Sequence, residues 1–117
     1  MSARQADCIF CKIIKGDIPS NIIYQDDDVV AFPDINPVTP IHLLIVPRKH
    51  IPTITSMTEE ETKVIGKMVM AAKKIAKDQG LSEKGYRLTI NNGPDAGQIV
   101  MHVHMHFMGG RSLVWNH

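Results

Sequence analysis

The sequence predicts an α+β domain: a five-stranded antiparallel sheet with one short and one long helix. Three observations carry this. Five short β-prone runs are parted by turns rich in Gly, Pro and Asp. A single long helical repeat interrupts them, with apolar residues at Val64, Ile65, Met68, Val69, Ala72, Ile75 and Ala76. The last run, His102-Val-His104-Met-His106-Phe, alternates strictly, so in an extended chain its imidazoles share one face and its apolar side chains the other.

Taken in order, Cys8 to Lys15 has helical spacing and stops at Gly16, a good terminating residue. Asn21–Gln25 and Asp28–Phe32 read as a hairpin around the acidic turn Asp26-Asp27. The run from Pro33 to Pro37 is a loop, and Pro40 opens a third strand, Ile41–Val46, closed by Pro47. Thr58 with Glu61 is a capping-box pair at the start of the long helix, and Gly80 ends it. Its apolar stripe is expected to be core, and Lys63, Lys67, Lys73, Lys74 and Lys77 a solvated face. Tyr86–Asn91 and Met101–Met108 complete the sheet as strands four and five, joined by the Gly/Pro loop 92–97.

With 117 residues the chain suffices for one domain, residues 1–117, with a modest core. A hydrophobic fraction of 44%, a charged fraction of 21% and a net charge of +1 give no field that argues for nucleic acid or membrane as a partner. No apolar run reaches the ~20 residues of a transmembrane helix. The first seven residues lack the apolar stretch of a secretory signal, so a cytoplasmic setting is expected, and Cys8-Ile-Phe-Cys11 then favours metal or redox chemistry over a structural disulfide.

Imidazoles serve as base, acid, nucleophile or ligand near neutral pH, and clustered ones mark functional sites. One metal held by all three is disfavoured. Strand rise separates His102 and His106 by roughly 13 Å, whereas zinc ligands must converge to about 2.0–2.1 Å. The row suits an elongated group better, such as a phosphate with its leaving group. The middle residue, His104, is best placed to attack a phosphorus held by its neighbours.

These residues resemble the histidine triad (HIT) family, whose signature alternates His with apolar residues as 102–108 do. The likeness spans nearly the whole chain. It takes in Cys8-Ile-Phe-Cys11, Ala31-Phe-Pro-Asp34-Ile35, His42-Leu-Leu-Ile-Val-Pro-Arg-Lys-His50, Asn91-Asn-Gly, Gly97-Gln98 and Gly109-Gly110-Arg111. The Gly-Gly-Arg tail and Trp115 resemble the nucleotide-binding Hint branch.

The resemblance implies a HIT-like fold over residues 1–117. It also implies a homodimer whose subunit sheets join, and hydrolysis of purine nucleoside 5′-monophosphoramidates, AMP or GMP conjugates, at the α-phosphate. By position His104 corresponds to the nucleophile, forming a nucleotidyl-histidine intermediate that splits one hard step into two. Its ring needs one N–H held by an acceptor, such as a backbone carbonyl, so that the other nitrogen is free. His106 would protonate the departing amine and later activate water, and His42 would support the site. Phe32, Asp34 and Ile35 match the nucleoside pocket, with Asp34 accepting the ribose hydroxyls. Asn91, Gly97 and Gln98 belong to a loop whose glycines aim backbone N–H groups at an anion, and Trp115 completes the nucleotide-binding set. The Hint branch carries a serine where this chain has Ile99, so a donor near the scissile bond is missing, a loss worth around 10²–10³ in rate.

The spacing of Cys8 and Cys11 turns both sulfurs the same way and needs two further ligands to close a tetrahedral site. Some HIT relatives supply them from positions matching His50 and His102, which implies structural zinc and leaves His104 and His106 for the chemistry. Two other expectations remain beside the phosphoramidase: a dinucleoside polyphosphate hydrolase with the same nucleophile, and a non-catalytic, zinc-stabilised nucleotide-binding protein.

Overall fold

A computed structural model describes residues 7–114. Helix α1 (Ile9–Lys15) leads into strands β1 (Tyr24–Gln25), β2 (Val29–Pro33) and β3 (Ile41–Pro47). Helix α2 (Lys63–Asp78) follows, then β4 (Arg87–Ile90), a short 3₁₀ turn (Pro94–Ala96) and β5 (Met105–Gly109). The five strands form one sheet in the order β1-β2-β3-β5-β4, antiparallel at every pairing. The expected fold class is therefore present, with β5 inserted between β3 and β4, so the histidine strand lies inside the sheet and not at its edge.

The two faces have separate cores. Val29, Ala31, Leu43, Ile45, Val103, Met105 and Phe107 pack with the buried stripe of α2, Met68, Ala71, Ala72, Ile75 and Ala76. On the other face Val30, Phe32, Leu44 and Val46 pack with Cys8, Phe10 and Cys11 of the α1 region. The period-two reading of residues 102–107 holds through this division. The stripe on α2 departs from expectation at Val69, which is 37% exposed, while Ala71 is buried in its place.

Three element starts lie three or more residues from the sequence reading, each for a structural reason. The first strand spans only Tyr24–Gln25, although Ile23 N–H still donates to the Ala31 carbonyl (2.9 Å); in register Ile22 would face Pro33, which has no N–H to donate. The capping box forms as expected, with Thr58 N–H donating to Glu61 Oε1 (2.9 Å) and Glu61 N–H to Thr58 Oγ1 (3.1 Å). It closes a tight turn ahead of the helix, where Lys63, Val64 and Ile65 donate to carbonyls three residues back, so α2 begins at Lys63. The histidine strand begins at Met105, not Met101. Ahead of it Val103 N–H turns to the Ile51 carbonyl (2.7 Å), and β3 has reached Pro47. Gly109 and Gly110 end β5 in close quarters: a Cβ at the first would meet Leu81 at 2.8 Å, and at the second Pro40 at 2.9 Å.

Candidate active site

Register places the site. Leu44 of β3 and Thr89 of β4 flank His106 of β5 on the face away from α2, and His42 lies two residues from Leu44 on that same face. His42 Nε2 and His106 Nδ1 are 2.9 Å apart. The His104 and His106 rings stand edge to face with centroids 5.2 Å apart. His42 and His104 are buried, and the His106 side chain keeps 19% of its exposure.

Backbone groups fix where each ring carries its proton. His104 Nδ1 lies 2.8 Å from the His102 carbonyl, which can only accept, so Nδ1 holds the hydrogen and Nε2 the lone pair. That Nε2 has no partner among the described residues, and none of their buried polar side-chain atoms is left unsatisfied, so it reaches solvent. The backbone acceptor expected for His104 is thus present. Val38 N–H donates to His42 Nδ1 (3.1 Å), which must be a lone pair, so neutral His42 carries its hydrogen on Nε2 and gives it to His106 Nδ1. Neutral His106 then holds its own hydrogen on Nε2. The outcome is a bare nitrogen on His104 beside an N–H on His106. Burial, then the neighbouring His104 and His42, push the His106 pKa below the ordinary histidine range, while the Asp34 carboxylate pulls the other way.

Asp34 turns inward. Its Oδ1 accepts from Asn36 N–H (2.8 Å), and its Oδ2 lies 3.4 Å from His42 Nε2 and 3.9 Å from His106 Nδ1. Phe32, expected in the nucleoside pocket, is buried edge-on against Phe10 at 5.5 Å between centroids, and Ile35 is 91% exposed. Gln98 is already committed within its loop. Its Oε1 accepts from Gly93 N–H (2.8 Å), and its amide donates to the Pro52 and Val100 carbonyls (2.6 and 3.0 Å). Asn91 lies against Gly97, where a Cβ would sit 3.9 Å from its Nδ2, and Gly97 itself takes φ 86°. Ile99 is 90% exposed, and Trp115 lies outside the described residues. Sequence reasoning passed over Phe10. Its ring meets His104 edge-on at 5.1 Å and His102 at 5.8 Å, so it packs both imidazoles in place. Its position between the two cysteines was the available signal.

A second cluster joins Cys8, Cys11, His50 and His102, whose ligand atoms all lie within 4.8 Å of one another. His102 Nε2 donates to the Pro47 carbonyl (2.8 Å), which turns a bare Nδ1 toward Cys8 Sγ (3.3 Å) and Cys11 Sγ (3.6 Å). Cys11 Sγ lies 3.4 Å from His50 Nδ1. Tetrahedral zinc with ordinary bond lengths sets such ligand atoms about 3.3–3.8 Å apart. Donor types, spacing and the His102 tautomer all fit a structural metal. Asp34, His42 and His106 also lie within 4.8 Å of one another. There the tautomer argues against a metal, because Val38 N–H occupies His42 Nδ1 and leaves a hydrogen on the nitrogen that would have to bind it.

Comparison with known proteins agrees with this geometry. The HIT domain family profile matches residues 15–113. The purine nucleoside phosphoramidase of Escherichia coli K12 is 49% identical over 107 residues, 92% of this chain and 90% of that protein. A histidine triad protein from Clostridium difficile superposes with a TM-score of 0.94 at 41% identity, covering 98% of this chain and all of that one. A HIT family hydrolase from Legionella pneumophila gives 0.90 at 44% identity, covering 93% of this chain and 97% of that chain.

Proposed function

The chain belongs to the HIT domain family, and on that premise we propose that it hydrolyses purine nucleoside phosphoramidates at the α-phosphate. One observation supports this above the others: a solvent-reaching lone pair on His104 Nε2 beside an N–H on His106 Nε2, both set by backbone partners. The first suits attack on phosphorus, and the second aims an N–H edge of His106 at the amine it expels, able to deliver its proton once the His42–His106 pair carries one extra proton.

In the first step His104 Nε2 bonds to phosphorus, the P–N bond breaks, and the amine leaves with a proton from His106. In the second, water attacks the nucleotidyl-histidine, His106 takes its proton, and His104 is released with its Nδ1–H still on the His102 carbonyl. His42 holds His106 in orientation through the 2.9 Å contact. The nucleotide itself is assigned to Phe32, Asp34 and Ile35 on the nucleoside side. Asn91, Gly97 and Gln98 are assigned to the phosphate side, with Trp115 as a further contact. Gln98 acts through its loop, tying Gly93 to the segment that leads into the histidines.

Cys8, Cys11, His50 and His102 would hold zinc as a closed four-coordinate site. Such a metal would supply structure, pinning α1 and the chain after β3 to the residues just ahead of the nucleophile. We further assign a homodimer through the β4 edge, where all four residues are half-exposed. Two free, buried cysteines suit a cytoplasmic setting. No helix among the described residues is long and apolar enough to cross a membrane.

The test is hydrolysis of an adenosine phosphoramidate, with mass spectrometry of acid-quenched enzyme. Wild type should turn over and carry a nucleotide adduct on His104, and His104→Ala should lose roughly 10³-fold or more in kcat. Equal turnover by both proteins would remove the nucleophile assignment. Faster hydrolysis of a dinucleoside polyphosphate than of the phosphoramidate would favour the other HIT activity.

A further inference from the structure

The neutral pair of His42 and His106 cannot act as an acid as it stands. His106 has one hydrogen, on Nε2, and surrendering it would leave an imidazolate unless an extra proton is already present. The extra proton has two places to go. His42 Nδ1 is occupied by Val38 N–H, and His106 Nδ1 is occupied by the hydrogen of His42 Nε2. Loading His106 Nδ1 would set two N–H groups against each other across 2.9 Å. Both would then need an acceptor, and one oxygen lies in reach of each nitrogen: Asp34 Oδ2, at 3.4 and 3.9 Å.

We propose that Asp34 is a positioning residue for proton transfer, its Oδ2 accepting from both His42 Nε2–H and His106 Nδ1–H once the pair takes up a proton. The inference rests on the phosphoramidase reading of this site. In the charged state the hydrogen bond between the two histidines opens and a small closure onto the carboxylate replaces it. His106 then has Nδ1–H on Asp34 and Nε2–H toward the leaving group. When the P–N bond breaks, the Nε2 proton moves to the departing nitrogen with the bonding electron pair. His106 is left neutral, with a bare Nε2 and its Nδ1–H still held. That tautomer is the base the second step needs: water's oxygen bonds to phosphorus, its proton goes to Nε2, and the P–N bond to His104 breaks. The imidazolium is regenerated, so one proton cycles without loss.

Asp34 is the carboxylate facing the pair among the described residues. His104 is the other titratable neighbour, and from β4 the residue opposite His106 is Thr89, which does not titrate. Opposite charge at this range favours the charged form of an imidazole, in line with the upward pull of Asp34 on His106.

The experiment compares Asp34→Asn with wild type on two substrates of one nucleoside: a phosphoramidate, whose amine must be protonated to leave, and a 4-nitrophenyl ester, whose leaving group needs no proton. The expected result is a loss of kcat on the phosphoramidate at least tenfold greater than on the ester. Equal losses on both, or a rise in KM alone, would overturn the proposal and leave Asp34 a ribose contact. A second readout needs no turnover. Histidine NMR titration of the free protein should show the His106 pKa falling by half a unit or more in Asp34→Asn, and an unmoved titration would also overturn it. If wild type cleaves neither substrate, the phosphoramidase reading fails instead, and the titration still judges the pairing.

Discussion

Replacing Cys11 by Ser tests whether the Cys8, Cys11, His50 and His102 cluster holds a metal and tethers the segment ahead of His104. Cys11 Sγ touches both histidines of the set, His50 Nδ1 at 3.4 Å and His102 Nδ1 at 3.6 Å, so its loss removes the ligand common to two of the three tethered segments. Without a cation, burial, then the hydrogen bond and charge of Cys8, push the Cys11 thiol up to about 11. The Cys11 thiol is therefore uncharged at pH 7 in the metal-free site, which favours survival of the fold and keeps the experiment readable. A metal at 100-fold excess over its dissociation constant adds about 2.7 kcal/mol to a fold that alone can bind it. For a chain of this size each kcal/mol moves the melting temperature by roughly 4 °C, giving a shift of about 10 °C. Zinc content by atomic emission should be near one per chain in wild type purified reduced and without chelator, and far lower in Cys11→Ser. A chelator should lower the wild-type melting temperature by about that amount and leave the variant unmoved. Wild type without zinc, or an equal chelator response in both proteins, would refute the reasoning.

Two further outcomes concern stability. Burial first of all holds the His102 pKa down to about 4, against about 6.5 for an ordinary histidine. In metal-free protein the unfolded chain therefore takes up a proton that the fold refuses. Stability is full above about pH 6.5 and falls by about 3 kcal/mol as the pH drops to about 4. Urea midpoints at pH 7.5, 5.5 and 4.5 should decline in that order, and a flat profile would contradict the burial argument. Phe107 is fully buried and stacks on Tyr86 at 4.9 Å, so Phe107→Ala should cost about 3–5 kcal/mol by denaturant titration. A cost under about 1 kcal/mol would show that the sheet and α2 collapse around the gap.

Periodicity made the fold legible. Alternation at 102–107 and the repeat of α2 each report which side of an element is buried, and burial follows residue type. Boundaries were less legible, because they depend on partners. The β5 ladder starts at Met105 since Val103 N–H finds the Ile51 carbonyl, a pairing across more than fifty positions that no local pattern encodes. The site divides in the same way. Chemistry-bearing residue types announced His104, His106 and the Cys-x-x-Cys pair, whereas proton placement rests on the Val38 N–H and the carbonyls of His102 and Pro47, which every residue type carries. Asp34 was visible as a carboxylate near a turn, but its approach to two histidines exists only once β2, β3 and β5 are side by side.

Because Val38 directs His42 through its main chain, and its own side chain is 64% exposed, the identity of that residue is nearly irrelevant to the chemistry. Selection can therefore change the exposed side chain at this position without touching the main-chain hydrogen bond beneath. Proline alone is barred, since it would delete the one hydrogen that dictates the imidazole's orientation. The surface and the imidazole's orientation are thereby set by different parts of the same amino acid, free to change at different speeds.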